Sequence, residues 1–373
     1  MTNLSATTIV DQPPSVRLER LLSFLSNDPS NMTLRGDVFD MALQEGNLVL
    51  ADKQLAVAKQ AGDDAEWQMR EANLAIAQSR LDEAEGMLQK LEQIYGRHPA
   101  ISQNLGFIAG LRGDHCACQA LIAQWADVEA TADVPAGLQS MWLRSLHHLG
   151  ELERAMEWAL KREEAGTLAA EAMGVASLIA IDREQIPSAK RWAEQALTTL
   201  PRLHEAQLSY ATVALGDRDS NAAQQTARDI LSRIPGSGRA WSVLGLAQML
   251  ALDLPAARVS LQKSVELMPS HIGTWHGLAW SCFLAKDYVA AKHAFEEALA
   301  RNHNFSETHG GLAVLAAVNK QRASAEEHLR RAFGLDPQCM TAQYARAILD
   351  GTLNDEQSVH ALARKMMRQN GTT

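Results

Sequence analysis

The residues that could do chemistry are few and poorly grouped. His115, Cys116 and Cys118 offer an imidazole and two thiols within four positions, the ligand types of a structural zinc site. Such a site needs four converging ligands, and the sequence has no second cluster to complete it. His147 and His148 are adjacent, so on a helix they diverge by about 100° and share no ion. The acidic pairs Glu163-Glu164, Glu296-Glu297 and Glu326-Glu327 stand beside alanines and read as solvated faces, whereas acid–base catalysis needs carboxylates converging across a cleft. Gly236-Ser237-Gly238 reads as a turn and Gly310-Gly311 as part of an apolar helix, so neither makes a phosphate-binding loop. The expectation is a chain with no catalytic, cofactor-binding or metal-ligating residue.

The elements that carry these residues are read from composition and period. Hydrophobic residues make up 46% of the 373 but aromatics only 5%, and the apolar mass is mostly alanine and leucine, strong helix formers. The fold class is therefore all-α. Thirty-five Lys plus Arg against 44 Asp plus Glu give a net charge of −9, which offers a phosphate backbone no general attraction. Four cysteines, at 116, 118, 282 and 339, are too few for a disulfide framework and suit a reducing compartment. The opening MTNLSATTIVDQPPSVR has no basic start or apolar core of a secretory signal, and no stretch is oily enough to span a bilayer. The expectations are a cytoplasmic location, no nucleic acid and no membrane insertion.

A ruler of 34 residues runs along the chain. Pro201, Pro235, Pro269 and Pro337 lie on it, with His303 in the remaining slot, and so do Ala189, Ala223, Ala257, Ala291 and Ala325. Within one period, Trp275, Leu278, Ala279 and Cys282 make the buried stripe of a first helix. After the break at Lys286-Asp287, Ala290, Ala291, Ala294, Phe295 and Ala298 mark a second, whose small residues permit close approach. Proline then stops that helix. One such pair has too little core to stand alone, so neighbours must stack.

This pattern resembles the tetratricopeptide repeat family, on Trp241, Leu244, Gly245, Ala257 and Pro269, then Trp275, Leu278, Ala291, Phe295 and Ala298, then Leu312, Ala325, Ala332 and Pro337. Weaker units begin near 204, 170, 136, 99, 65 and 32, about nine in all, and the one at 136 needs about three extra residues in the link before it. The resemblance implies a right-handed α-solenoid. Residues 1–31 are expected to form a tail and capping helix (Val16, Leu18, Leu21, Leu22, Leu25), 32–339 the array, and 340–373 closing helices over Thr341 to Leu349 and Asp355 to Gln369 with a tail.

The resemblance further implies a concave surface lined by positions 2, 5, 9, 12 and 13 of each first helix. In the C-terminal half this stripe includes Leu246, Met249, Leu250, His276, Trp280, Phe283, Leu284 and Val314, apolar residues on helices that are apolar on their packing side as well. Something should cover them: an amphipathic or extended partner segment, a tight superhelix, or the closing segment with its Val359, Leu362 and Met366. In the N-terminal half the stripe is polar, with Asn73, Asn104 and Arg144 as candidate partner contacts. The family's carboxylate clamp is not present, since Met69, Gly137 and Met141 stand in its cationic slots. The expected function is a non-catalytic scaffold, adaptor or chaperone that holds a protein or peptide partner. Family analogy points to bacterial secretion or envelope assembly. The alternative is a regulatory or accessory subunit whose closing helix covers its own groove, and self-association through the end faces is compatible with either.

Overall fold

The computed structural model describes residues 15–62 and 64–352. The first fourteen residues and the segment expected to close the stack, Asp355 to Gln369, lie outside the described residues. Among the described residues all regular structure is helical. Helix α1 (Val16–Asn27) precedes four pairs: α2 (Met32–Gln44) with α3 (Leu48–Ala61), α4 (Ala65–Ala77) with α5 (Leu81–Tyr95), α6 (Pro99–Leu111) with α7 (His115–Ala126), and α8 (Ala136–His148) with α9 (Leu152–Glu164). Then come α10 (Ala170–Asp182) and α11 (Ile186–Thr199), α12 (His204–Gly216) and α13 (Ser220–Arg233), α14 (Gly238–Leu250) and α15 (Leu254–Leu267), α16 (Ile272–Leu284) and α17 (Tyr288–Arg301), and α18 (Ser306–Val318) and α19 (Arg322–Leu335). Helix α20 (Met340–Leu349) follows. These helices fall into two compact units, one ending at Ala172 and one beginning at Met173.

Each pair is joined by a turn whose middle residue has left-handed backbone. Gly46, Gly113 and Gly150 hold this place at φ of 75°, 79° and 74°, and Ser79, Glu184, Arg218, Leu252, Lys286 and Lys320 hold it at 58° to 63°. The turn closes in the same way throughout. At Leu252, for example, its N–H donates to the Met249 carbonyl at 2.9 Å and the Asp253 N–H to the Gln248 carbonyl at 2.9 Å. This left-handed closure satisfies carbonyls that the ending helix leaves open. The next residue caps the second helix: Asn47, Asp114, Asp219, Asp253 and Asp287 each accept a backbone N–H with their side chains. From Gly113 to Gly150 the interval lengthens to 37, which places the three extra residues in the link between α7 and α8.

Five residues beyond each left-handed turn comes the small residue of the second helix. Ala51, Ala84, Ala155, Ala189, Ala223, Ala257, Ala291 and Ala325 are fully buried, and Cys118 takes the place in α7. A methyl there lets the two helices of a pair approach closely, with larger groups such as Leu261, Phe295 and Leu329 filling the space one turn on.

The links between pairs are stapled by a side-chain N–H from the fourth residue of the following first helix. Trp241 Nε1 donates to the Pro235 carbonyl at 2.8 Å and Trp275 Nε1 to that of Pro269 at 2.9 Å. Gln207 does the same to Pro201 at 3.1 Å, and Arg35 to Pro29 at 2.6 Å. The Pro269 carbonyl also accepts from Arg301 Nε, so that link is held from two helices. In these four links the slot holds an N–H donor, supplied by tryptophan, glutamine or arginine, whereas Ser102 of α6 and Met173 of α10 stand in it without one.

Candidate partner-binding face

The apolar stripe expected in the C-terminal half is mostly core. Met249, Phe283, Leu284 and Val314 are buried in one cluster with Leu261, Leu278, Phe295, Leu312 and Leu315. Trp280 stands edge-on to both Phe283 (5.5 Å between centroids) and Phe295 (5.3 Å), and Phe283 also meets Tyr288 at 5.5 Å. Such edge-to-face contacts suit aromatic quadrupoles and fix the rings. His276 lies between Phe295 and Phe305 and shares a hydrogen bond of 2.7 Å with Thr308 Oγ1. Burial pulls its pKa down to about 4, so it is neutral at pH 7. Leu246, Leu250, His276 and Trp280 keep partial solvent exposure.

In the N-terminal unit the first-helix face is more open. Asn104 of α6 donates from Nδ2 to Asn73 Oδ1 of α4 at 2.6 Å, and the same nitrogen touches the Met69 sulfur at 3.5 Å. Three residues before Asn73 on α4, Arg70 is held by Asp40 at 3.0 Å and by Glu66 at 3.4 Å, and its guanidinium lies 4.8 Å from the Trp67 ring. Three and seven residues after Asn104 on α6, Phe107 and Leu111 have 44% and 43% of their surface exposed. Arg144 is exposed on α8, the next first helix.

Asn73 and Asn104 are thus brought together as candidate contacts, and Phe107 and Leu111, at positions 9 and 13 of the unit that begins at 99, are exposed on the same helix as Asn104. The signal was available in spacing. The buried stripe of α6 runs through Ile101, Leu105 and Ile108, and Phe107 with Leu111, four apart, lie off it.

The thin chemical candidates resolve into structure. Cys118 is buried, its thiol pushed up to about 11 by desolvation, while Cys116 is exposed. His115 stacks on His148, rings 4.0 Å apart and nearly parallel. Among the described residues no three His, Cys, Asp or Glu side chains converge as metal ligands. Glu296, Glu297, Glu326 and Glu327 pair with Lys292, Arg301, Arg346 and Arg331 respectively. Gly310 permits contact: a Cβ there would lie 1.8 Å from Thr341 Oγ1 and 2.9 Å from the Ala342 nitrogen of α20. At Gly311 it would strike the Phe295 ring. No helix among the described residues is long and apolar enough to cross a membrane.

No family model and no curated protein matches the chain. Solved structures do. A monomeric mutant of IFIT1 with m7Gppp-AAAA superposes with a TM-score of 0.55 at 14% identity, covering 95% of this chain and 93% of that one. The human IFIT1 dimer with PPP-AAAA gives 0.53 at 14% identity, covering 95% and 91%. The fold is a tetratricopeptide-repeat solenoid. PilF of Pseudomonas aeruginosa, at 17% identity and a TM-score of 0.45, covers 56% of this chain and 95% of its own. At these identities the likeness is one of fold.

Proposed function

We propose that this tetratricopeptide-repeat protein is a non-catalytic scaffold that grips an extended segment of a partner protein on the first-helix face of its N-terminal unit. The observation that carries the reading is the Asn73–Asn104 pair. The bond between the two amides uses one donor and one acceptor, leaving Asn73 Nδ2 to donate and Asn104 Oδ1 to accept. One donor beside one acceptor complements a peptide backbone amide, and reversing both side chains leaves the same complement. Phe107 and Leu111, one and two turns beyond Asn104, supply the apolar seat for a neighbouring partner side chain. Arg144 extends the face toward a polar or acidic group. In the C-terminal unit the mostly buried Leu246, Leu250, His276 and Trp280 leave only their edges for a shallower second contact. The burial of Met249, Phe283, Leu284 and Val314 favours the alternative that this half of the chain largely covers its own stripe.

A role as chaperone, accessory subunit, or part of bacterial secretion or envelope assembly, in the cytoplasm, rests on fold analogy alone. The formal charge of −9 weighs against an RNA ligand of the kind seen with IFIT1. The test is selection of a displayed peptide library on the wild-type chain, followed by titration of the recovered peptides against an Asn104→Ala, Phe107→Ala double variant of unchanged helical circular dichroism. At least about tenfold weaker binding is expected, the loss of one hydrogen-bonded contact and one apolar anchor. Equal affinity, or binding of capped or triphosphorylated RNA in place of peptide, would sink the reading.

A further inference from the structure

Helix α18 fills the donor slot with a histidine, and this brings a second titrating group into play. His309, 2% exposed, sets its Nε2 at 3.0 Å from the His303 carbonyl, where Trp241 and Trp275 place their indole N–H. A carbonyl only accepts, so His309 Nε2 carries the proton. The lone pair of the neutral ring is then on Nδ1, which faces Nδ1 of His328 on α19 at 3.3 Å. His328 must therefore donate from Nδ1 and keep its own lone pair on Nε2.

A first added proton makes the pair a single cation, with one N–H between the two Nδ1 atoms, and leaves both hydrogen bonds intact. A second would set N–H against N–H and cation against cation across the same 3.3 Å. From α17, Lys292 adds positive charge, and from α19, Arg331 adds positive and Glu327 negative charge; His303 lies in the link, and Arg346 of α20 is engaged by Glu326. Desolvation first, and then the positive charge of the facing His309, hold the His328 pKa below its ordinary value, which is the second proton withheld.

We propose that the His309–His328 pair makes the α18–α19 hairpin an acid-sensitive joint, which stays closed with one proton and opens to take up the second. Unfolded, both imidazoles bind protons below about pH 6.5. The native hairpin binds one fewer, so its stability is complete above that pH and falls as pH declines. One withheld proton corresponds to about tenfold in the opening equilibrium for each pH unit below that point. The Trp241 and Trp275 slots do not titrate; His276 of α16, bonded to Thr308 of α18, is a further buried imidazole that touches this hairpin, and it is unchanged in the variants below.

The experiment is hydrogen exchange of the full chain from pH 7.5 to 5.5, corrected for intrinsic exchange. It compares residues 306–335 with the tryptophan-bearing hairpin 238–267. Wild type is expected to lose protection in 306–335 about tenfold more than in 238–267. His309→Gln keeps an N–H donor, as Gln207 does, and His328→Gln leaves the bond to His303 in place; either variant should remove the excess loss. A wild-type profile with no excess loss in 306–335, or an excess that persists in both variants, overturns the proposal.

Discussion

Arg162 is 1% exposed, and its contacts are with neutral groups: it donates to the carbonyls of Glu129, Ala130 and Ala132 at 3.1 to 3.5 Å and to the Thr167 hydroxyl at 3.4 Å. Its plane lies 4.7 Å from the Trp158 ring. Those three carbonyls belong to the link where the extra residues enter, so the guanidinium is the clamp that lets the longer link pack. Arg162→Met should cost about 3 kcal/mol, mostly from leaving buried acceptors open, and Arg162→Lys should recover less than half because a single ammonium cannot span the same carbonyls. A urea titration followed by circular dichroism measures both. None of this was legible in the sequence, where an arginine at helical spacing reads as solvated; its acceptors are backbone groups of a loop that no side-chain pattern announces. Asn73 and Asn104 were legible as polar groove positions, but their hydrogen bond, which leaves a donor and an acceptor side by side, needed three dimensions.

The helix pair explains why the period could be read so far from its strongest matches. Ala189, Ala223, Ala257, Ala291 and Ala325 mark a contact that tolerates only small groups and survive where the tryptophans give way to glutamine or histidine; the link proline survives beside Gln207 but gives way to His303 beside His309. The left-handed turns were less visible because six of them use residues other than glycine. Leu252 is the most costly of these, a leucine at φ 63° with 51% of its surface exposed. Asparagine tolerates that backbone, and Leu252→Asn should raise the urea midpoint by about 0.5 to 1 kcal/mol of stability. Gly310 makes the opposite case. Gly310→Ala would press a methyl into Thr341 and the α20 backbone, and a loss of about 1 to 3 kcal/mol is expected in the same titration.

Over the whole molecule, the resolved acid-range shifts share one sign. His271, His276 and His328 have pKa values lowered chiefly by burial, so the unfolded chain binds their protons first; their stability is complete above about 6.5 and is lost as pH falls. For His276 the window runs from 6.5 to about 4, roughly 3 kcal/mol at its acid end. The carboxyls of Glu151, Asp229 and Glu266, held low by hydrogen-bonding partners, add their loss at lower pH still. Thermal melting from pH 7.5 to 4 should therefore show a monotonic decline, made shallower by His276→Asn; a stability maximum near pH 5 would contradict it. The left-handed turns carry a last consequence. Because Leu252 and Lys286 hold the same backbone conformation thirty-four residues apart, excising 252–285 would splice two equivalent points, with α17 meeting α14 in place of α16 and the later pairs keeping their neighbours. A chain shortened there by one hairpin is expected to fold, like a tape cut and rejoined on its own graduations.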